Sequence, residues 1–286
     1  MKDLCLFTCS DQFQLSIKAL EYVELIQSLG RQFGIELTHL YYSLGEDKNG
    51  KDISNEINFD PDGVEKLRQA LDSGSVCDLA LWSDQPEHPY FDLHSELTDE
   101  EKTHGYKFMY IQIPTSYIEH LPPADTFSLM VNLISSVNQI GRLDYAFVTV
   151  MDSALPSTFF RGIGTSNLSK NDVLDLTLWE SRRNERRTKL RGVYWGNLLG
   201  PHHLARLPDK QAFIARLEAL LGRDKIASIN GDALFFMLPF SDPSLNPVKA
   251  SIEKLLMEYD LLMQPDDEVR EMVEQHLKIL ALGKQE

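Results

Sequence analysis

The sequence predicts a mixed α+β protein with two similar tandem α+β subdomains and mostly antiparallel or mixed sheets. Its 286 residues are long for one hydrophobic core and suit two cores of about 140 residues each. Strand-like and helix-like hydrophobic patterns alternate along the chain. Each half has the order strand, helix, strand, helix, strand, strand, helix, so we expect the subdomains to be 1–140 and 141–286.

The first subdomain is expected to contain four strands and three helices. Runs of branched and aromatic residues indicate the strands, and apolar residues three or four apart indicate the helices. Asp60 before Pro61 is a capping carboxylate followed by proline at the first helical position. The polar stretches 45–58 and 84–104 are expected to be exposed loops. The expected strands are 3–9, 34–44, 77–83 and 106–114, and the expected helices are 11–29, 60–72 and 122–139.

The second subdomain has the same order, with further helices at its end. Asn230-Gly231-Asp232 between two apolar runs is the signal of a tight hairpin turn. Asp209 is placed to cap a helix. The expected strands are 143–151, 191–199, 225–229 and 233–238, and the expected helices are 170–188, 201–207, 209–221, 247–262 and 265–282.

Two local matches favour an internal duplication. Leu40–Gly45 aligns with Val193–Gly200, which has two extra residues, and Lys107–Pro114 aligns with Asp232–Pro239. The spacing between the matched strands is longer in the first half, and the acidic stretch 84–104 accounts for most of the difference.

Net charge is unevenly distributed between the two halves. Residues 1–140 carry 23 Asp and Glu against 9 Lys and Arg, a net charge of −14, whereas residues 141–286 carry 20 against 19, a net charge of −1. An acidic half repels phosphates, so we expect no nucleic-acid ligand. It would attract a basic protein partner, or it serves only as a solubilising surface.

Hydropathy indicates neither a membrane span nor a secretion signal. No apolar run approaches the roughly 18 residues that a bilayer requires. The start of the chain lacks the apolar region of a signal peptide. We therefore expect a cytoplasmic protein without a membrane partner.

Signatures of catalysis and of cofactor binding are weak. The sequence has no glycine-rich phosphate loop, no Gly-x-Ser-x-Gly elbow, no His-Glu-x-x-His and no Cys-x-x-Cys pair. Cys5, Cys9 and Cys77 are an odd set without a disulfide framework, which favours buried free thiols. His202 and His203 would need a nucleophile to serve a hydrolase. We expect no catalytic residue, no cofactor and no metal.

The stretch 84–104 combines carboxylates with His88, His94 and His104. Its irregular spacing disfavours a zinc site, while a solvated loop and a partner-binding loop both stay open. Long loops are often functional, so we take partner binding as the hypothesis. The candidate partner-binding residues are Asp84, Glu87, Asp92, Glu96, Asp99, Glu100 and Glu101.

Six cations lie within ten residues, in the last two turns of the predicted helix 170–188 and directly after it. On a helix, four of them would share one face. A nucleic-acid or membrane surface is one interpretation, but no aromatic residues interleave the cations, so we prefer an electrostatic contact with the acidic subdomain. The six are Arg182, Arg183, Arg186, Arg187, Lys189 and Arg191.

The segment RGVYWGNLLGP, residues 191–201, is predicted to be the central strand of the second repeat, followed by a glycine–proline turn and a helix. Its glycines bracket two large rings, so the backbone can approach a neighbour closely. We interpret it as a structural motif. Its characteristic residues are Arg191, Gly192, Tyr194, Trp195, Gly196, Asn197 and Pro201.

This segment, continued to Leu207 and followed by a helix, a hairpin and a helix, resembles the type VI immunity protein family, which accompanies polymorphic toxins and type VI secretion systems. The family pattern is Arg-Gly-x-Tyr/Ser-Trp, a small or polar pair, and Leu-x-Pro before a leucine-containing helix. The resemblance covers residues 140–245 well and the first half in general pattern. The matching residues are Arg191, Gly192, Trp195, Gly196, Asn197 and Pro201.

The resemblance implies a non-enzymatic, cytoplasmic protein that binds a cognate secreted effector toxin and occludes its active or substrate-binding surface. An acidic inhibitor suits a basic nuclease, because its carboxylates can stand in for phosphates. If the toxin is a lipase or another hydrolase, loops and aromatic anchors should matter more than charge. The alternatives are an effector chaperone or adaptor for type VI secretion, and a hydrolase that uses His202 or His203.

Overall fold

The structure, a computed structural model, divides into two compact units. The first unit comprises Met1–Ala146 with Ile229–Gly231, and the second comprises Phe147–Ser228 with Asp232–Glu286. That the units arose by duplication stays a prediction. The described residues are 2–10, 15–32, 36–46, 52–72, 78–83, 90–94, 107–152, 173–174, 177–178, 181–182, 185, 187–239 and 246–282.

Both strands and helices are well represented, which confirms the mixed α+β class. The strands are β1 Lys2–Ser10, β2 His39–Glu46, β3 Asp52–Asn58, β4 Asp78–Trp82, β5 Tyr90–His94, β6 Lys107–Pro114, β7 Tyr145–Asp152, β8 Gly196–Leu199, β9 Ile226–Ile229 and β10 Ala233–Met237. The helices are α1 Leu15–Gln32, α2 Pro61–Asp72, α3 Pro123–Ile140, α4 Pro201–Ala205, α5 Lys210–Leu221, α6 Lys249–Glu258 and α7 Asp267–Leu282.

The first unit is built on an antiparallel sheet in the strand order β3-β2-β4-β5-β6-β1. Tyr41 of β2 lies between Glu56 of β3 and Ala80 of β4. Leu6 of β1 lies opposite Ile111 of β6. The predicted antiparallel pairing is therefore confirmed in this unit.

Two strands of this sheet, β3 and β5, fall in stretches that the sequence predicts to be loops, and that prediction is wrong there. The β3 sequence DISNEIN is mostly polar because β3 is an end strand, with Ile53 44% exposed. The β5 sequence YFDLH is a five-residue strand between polar flanks. Short strands with polar neighbours carry too little period-2 signal to be separated from a loop.

The helices of the first unit follow the predicted signals. Tyr22, Val23 and Ile26 of α1 are buried, as its apolar spacing predicts. The Asp60 carboxylate accepts a hydrogen bond of 2.8 Å from the Gly63 N–H and caps α2. At the end of α3, the Gly141 N–H donates to the Val137 carbonyl.

A buried corner joins α3 to β7 and contains Asp144, which is 4% exposed. The Asp144 N–H donates to the Cys9 carbonyl over 2.9 Å, and the Asn138 side chain accepts from the Leu143 N–H over 2.8 Å. Burial raises the pKa of the Asp144 carboxyl to about 6, although the nearby charge of Arg142 acts in the opposite direction.

This carboxyl should make stability depend on pH. The folded state keeps the Asp144 proton up to a higher pH than the unfolded chain, whose reference pKa is 3.8. The resulting stabilisation is fully present below the unfolded-state pKa of 3.8, and it is lost as the pH rises through the folded-state pKa of about 6. Relative to Asp144→Asn, the wild type should lose about 3 kcal/mol of unfolding free energy across that pH interval.

Urea denaturation at several pH values measures the difference. The exposed Asp72→Asn is the control, and parallel profiles of wild type and Asp144→Asn would contradict the assignment.

The remaining strands, most of whose residues belong to the second unit, follow the order β7-β8-β10-β9. Leu198 of β8 lies opposite Phe235 of β10 in an antiparallel pair. Asn230 and Gly231 have φ values of 49° and 85°, and positive φ at both central residues defines the hairpin turn that the sequence predicts. The Asp209 carboxylate accepts from the Ala212 N–H over 2.9 Å and caps α5, also as predicted.

The predicted helix 170–188 ends earlier than expected. Val173, Thr177 and Ser181 are α-helical, whereas Arg182, Arg187 and Thr188 form turns and Glu185 has 3-10 conformation. The predicted helical face of cations is therefore wrong for the residues that can be described. Likewise, α6 ends at Glu258, because Asp260 takes a positive φ of 54° and the chain reverses there.

Each unit has its own apolar core. In the first, Leu4, Leu6 and Ile134 are fully buried, and the thiols of Cys5 and Cys9 are buried, as expected, and belong to no disulfide bond. In the second, the largest buried groups include Phe213, Phe235 and Phe236. Cys77 lies outside the described residues. Among the described helices, none combines the length and apolar character needed to cross a bilayer.

Candidate functional site

The segment 191–201 is a strand only from Gly196 onward, so the prediction of a strand from residue 191 is wrong over its first five residues. The reason is Asn197, which is fully buried. Its side-chain oxygen accepts from the Tyr194 N–H, and its side-chain nitrogen donates to the Tyr194 carbonyl, both over 2.9 Å. The amide thus supplies hydrogen bonds that a strand neighbour would otherwise supply.

The rings and glycines of this motif pack into the second unit. Tyr194 stacks on Phe147 with ring centroids 4.0 Å apart, and the Arg191 guanidinium lies 5.9 Å from the same ring. A Cβ on Gly196 would lie 2.9 Å from the Phe235 ring, so glycine is required there.

Burial distinguishes this motif from an open binding site. Arg191 is 2% exposed and Trp195 is 8% exposed. Pro201 is the first residue of α4, with Gly200 at the N-cap position. A partner in solvent can reach little of this surface, so the geometry assigns the motif to the core.

Within the second unit, three cations bind the connection between α6 and α7, and a fourth binds the last residue of α6. Lys189 pairs with Asp260 over 2.8 Å and with Glu185 over 3.2 Å. The remaining pairs are Arg206 with Asp260, Arg182 with Asp266, and Arg216 with Glu258. Arg182 and Lys189 thus pair with carboxylates of their own unit, and the predicted contact of the cation cluster with the acidic subdomain stays a prediction.

The carboxylate of Asp260 is the centre of this network. The hydrogen bond from Lys189 is the main cause that holds its pKa below the usual value, and Arg206 acts in the same direction. The Asp260 side chain is 60% exposed, so each pair contributes little to stability. Backbone bonds between Leu190 and residues 261 and 263 fix the same connection.

A groove of about 410 Å³ opens on the first unit, between the turn Thr115–Tyr117 and the outer face of α3. This volume is within the usual range of sites that bind small groups. None of its residues was a candidate from the sequence, although the 3–4 spacing after Pro122-Pro123 was available as a signal. The lining residues are Tyr117, His120, Leu121, Asp125, Ser128, Leu129 and Asn132.

Comparison with known proteins identifies a shared fold. No family model matches the chain, and no curated protein matches it. Among solved structures, the chain is similar to the Pseudomonas aeruginosa T6SS protein PA0821, with a TM-score of 0.52 and 13% sequence identity. The match covers 93% of this chain and 76% of that chain. At this identity the likeness shows the fold alone.

The predicted partner-binding residues are only partly described. Asp92 lies in β5, between Ala80 of β4 and Tyr110 of β6, and so belongs to the sheet instead of a loop. His94 ends the same strand. Asp84, Glu87, Glu96, Asp99, Glu100 and Glu101 lie outside the described residues, so their role in partner binding stays a prediction.

The two histidines of the hydrolase hypothesis differ in access. His203 is fully buried in α4, whereas His202 is exposed. A substrate in solution could therefore reach the His202 imidazole but not the His203 imidazole. Within the described stretches, no group of three or more His, Cys, Asp or Glu side chains could hold a metal ion.

Proposed function

We propose that the chain is an immunity protein of a type VI secretion system, which binds a cognate effector toxin and blocks its active or substrate-binding surface. The observation that carries this proposal is the motif at 191–201 within a fold like that of a T6SS protein over 93% of the chain. The motif supplies the family resemblance, and its buried position in the second unit agrees with the role of a scaffold.

The mechanism that we propose is occlusion without turnover. Residues 1–140 carry a net charge of −14, which suits an effector with a basic substrate-binding surface. Carboxylates of the inhibitor would occupy positions that substrate phosphates take, and would also accelerate association at low salt. In this proposal the chain needs no cofactor, metal or nucleophile.

Co-expression with a candidate effector from the same gene neighbourhood tests this function. Cells that produce the effector alone should arrest, and cells that also produce the chain should grow. Purification of the complex from the same cells is the parallel readout. Growth arrest despite a stable complex would contradict neutralisation and favour the chaperone or adaptor function.

A histidine variant separates binding from hydrolysis. We expect His202→Ala to neutralise the effector as well as wild type does, because the exposed imidazole has no role in occlusion. His203→Ala is unsuitable because that side chain is buried. If His202→Ala forms the complex but no longer protects cells, the hydrolase hypothesis replaces the proposed one.

A further inference from the structure

The groove on α3, defined above by its lining residues, has a chemistry that the proposed function does not yet use. We propose that it receives an arginine side chain of the effector, and this inference rests on the proposed function. Leu121, Leu129 and the ring of Tyr117 form apolar walls, and Asp125 and Asn132 supply oxygen acceptors. This combination suits a planar cation that packs on apolar and aromatic surface while its N–H groups reach acceptors.

Two polar side chains of the groove, Asp125 and Asn132, are available to a ligand. Asp125 and Asn132 are both exposed. Among the residues that the structure describes, the Asp125 carboxylate has no ion pair and the Asn132 side chain has no hydrogen bond. By contrast, the Ser128 hydroxyl already donates to the Ala124 carbonyl over 2.9 Å, inside its own helix.

Charge selects a cation over an anion. Among the described residues that line the groove there is no lysine or arginine; His120 is its basic side chain and Asp125 its acidic one. The amino end of α3 carries partial positive charge, but Asp125 lies in its first turn and compensates it. An acidic ligand in the groove would lie beside the Asp125 carboxylate and be repelled by it. The net charge of −14 over residues 1–140 would also repel such a ligand as it approaches.

The shape of the groove suits a long side chain that lies along the helix. The groove runs along one face of α3, where Asp125, Leu129 and Asn132 follow at three- and four-residue spacing. Its volume of about 410 Å³ holds one long side chain with the flanking backbone outside. Arginine anchors in such pockets often dominate protein interfaces.

The first test uses a probe and no effector. The full chain, labelled with ¹⁵N, is titrated with N-acetyl-L-arginine methylamide, and amide shifts are followed by NMR. We expect saturable shifts at Tyr117, Leu121 and Asn132 with a dissociation constant on the order of millimolar, and loss of saturation in Asp125→Asn. The matched control is Asp62→Asn, since Asp62 is an exposed carboxylate in the first turn of α2, which also begins with proline.

The outcomes of the titration are decisive. Shifts that persist in Asp125→Asn, shifts that appear elsewhere, or equal binding of N-acetyl-L-glutamate methylamide would each overturn the proposal. The second test is the effector complex, in which Asp125→Lys should weaken affinity about tenfold or more and Asp62→Lys should not. Unchanged affinity in Asp125→Lys would also overturn it.

The two proposals can fail separately. The arginine titration requires no effector, so an unresponsive groove leaves neutralisation as a separate result of the co-expression experiment. Conversely, if the chain does not protect cells, saturable arginine binding that depends on Asp125 still establishes the groove as a cation site.

Discussion

Replacing Trp195 by alanine should lower the free energy of unfolding by about 3–5 kcal/mol. Trp195 is 8% exposed and directly precedes Gly196, where an added Cβ would lie 2.9 Å from the Phe235 ring. The Trp195 carbonyl accepts a hydrogen bond from the Leu238 N–H, which fixes the backbone at this point. The cavity left by the indole ring would therefore not easily collapse. Urea denaturation followed by far-ultraviolet circular dichroism measures the loss.

The matched control for this substitution is Trp82→Ala in the first unit. Trp82 is half-buried and stacks on His39 with ring centroids 5.3 Å apart, so its removal should cost less. A Trp195→Ala protein that keeps wild-type stability but no longer binds the effector would contradict the structural role of the motif.

Replacing Asn197 by alanine should lower the free energy of unfolding by about 2–4 kcal/mol, because two partly buried backbone groups lose their partners. The groups are the N–H and the carbonyl of Tyr194, both bonded to the Asn197 amide over 2.9 Å. We also expect the stacking of Tyr194 on Phe147 to loosen, which near-ultraviolet circular dichroism would detect.

An exposed asparagine provides the control. Asn132→Ala, on the outer face of α3, should change stability by no more than about 0.5 kcal/mol. Asn197→Asp keeps one acceptor but loses the donor and buries a charge, so it should not restore stability. Equal stability of Asn197→Ala and Asn132→Ala would show that the turn at Tyr194 does not depend on this amide.

The parts of the fold that the sequence predicts well have local causes. Asp60 and Asp209 cap their helices with side-chain bonds to residues three positions ahead, and Asn230-Gly231 adopts a turn that its own backbone preferences favour. Such signals act within a few residues, so they can be read without knowing the tertiary structure.

The parts that the sequence predicts poorly depend on distant partners. Strand β5 exists because β4 and β6 lie on either side of Asp92. The turn before Gly196 depends on a side-chain contact that competes with the strand-forming preference of Tyr194 and Trp195. Arg182 and Lys189 pair with carboxylates far along the chain, which charge patterning alone does not reveal.

The candidate sites show the same division. The resemblance at 191–201 identifies a core motif, because the residues that characterise it are contiguous and distinctive. The groove combines the Tyr117 turn with the outer face of α3, and its residues are individually ordinary surface residues. Its identification therefore depends on the three-dimensional structure.

Inhibition of the purified effector tests the central claim most directly. The effector's own activity is measured while the wild-type chain is added in increasing amounts, at an effector concentration well above the dissociation constant. Neutralisation by occlusion predicts that activity falls linearly to zero at a fixed stoichiometric ratio. Full effector activity in a saturated complex would contradict it.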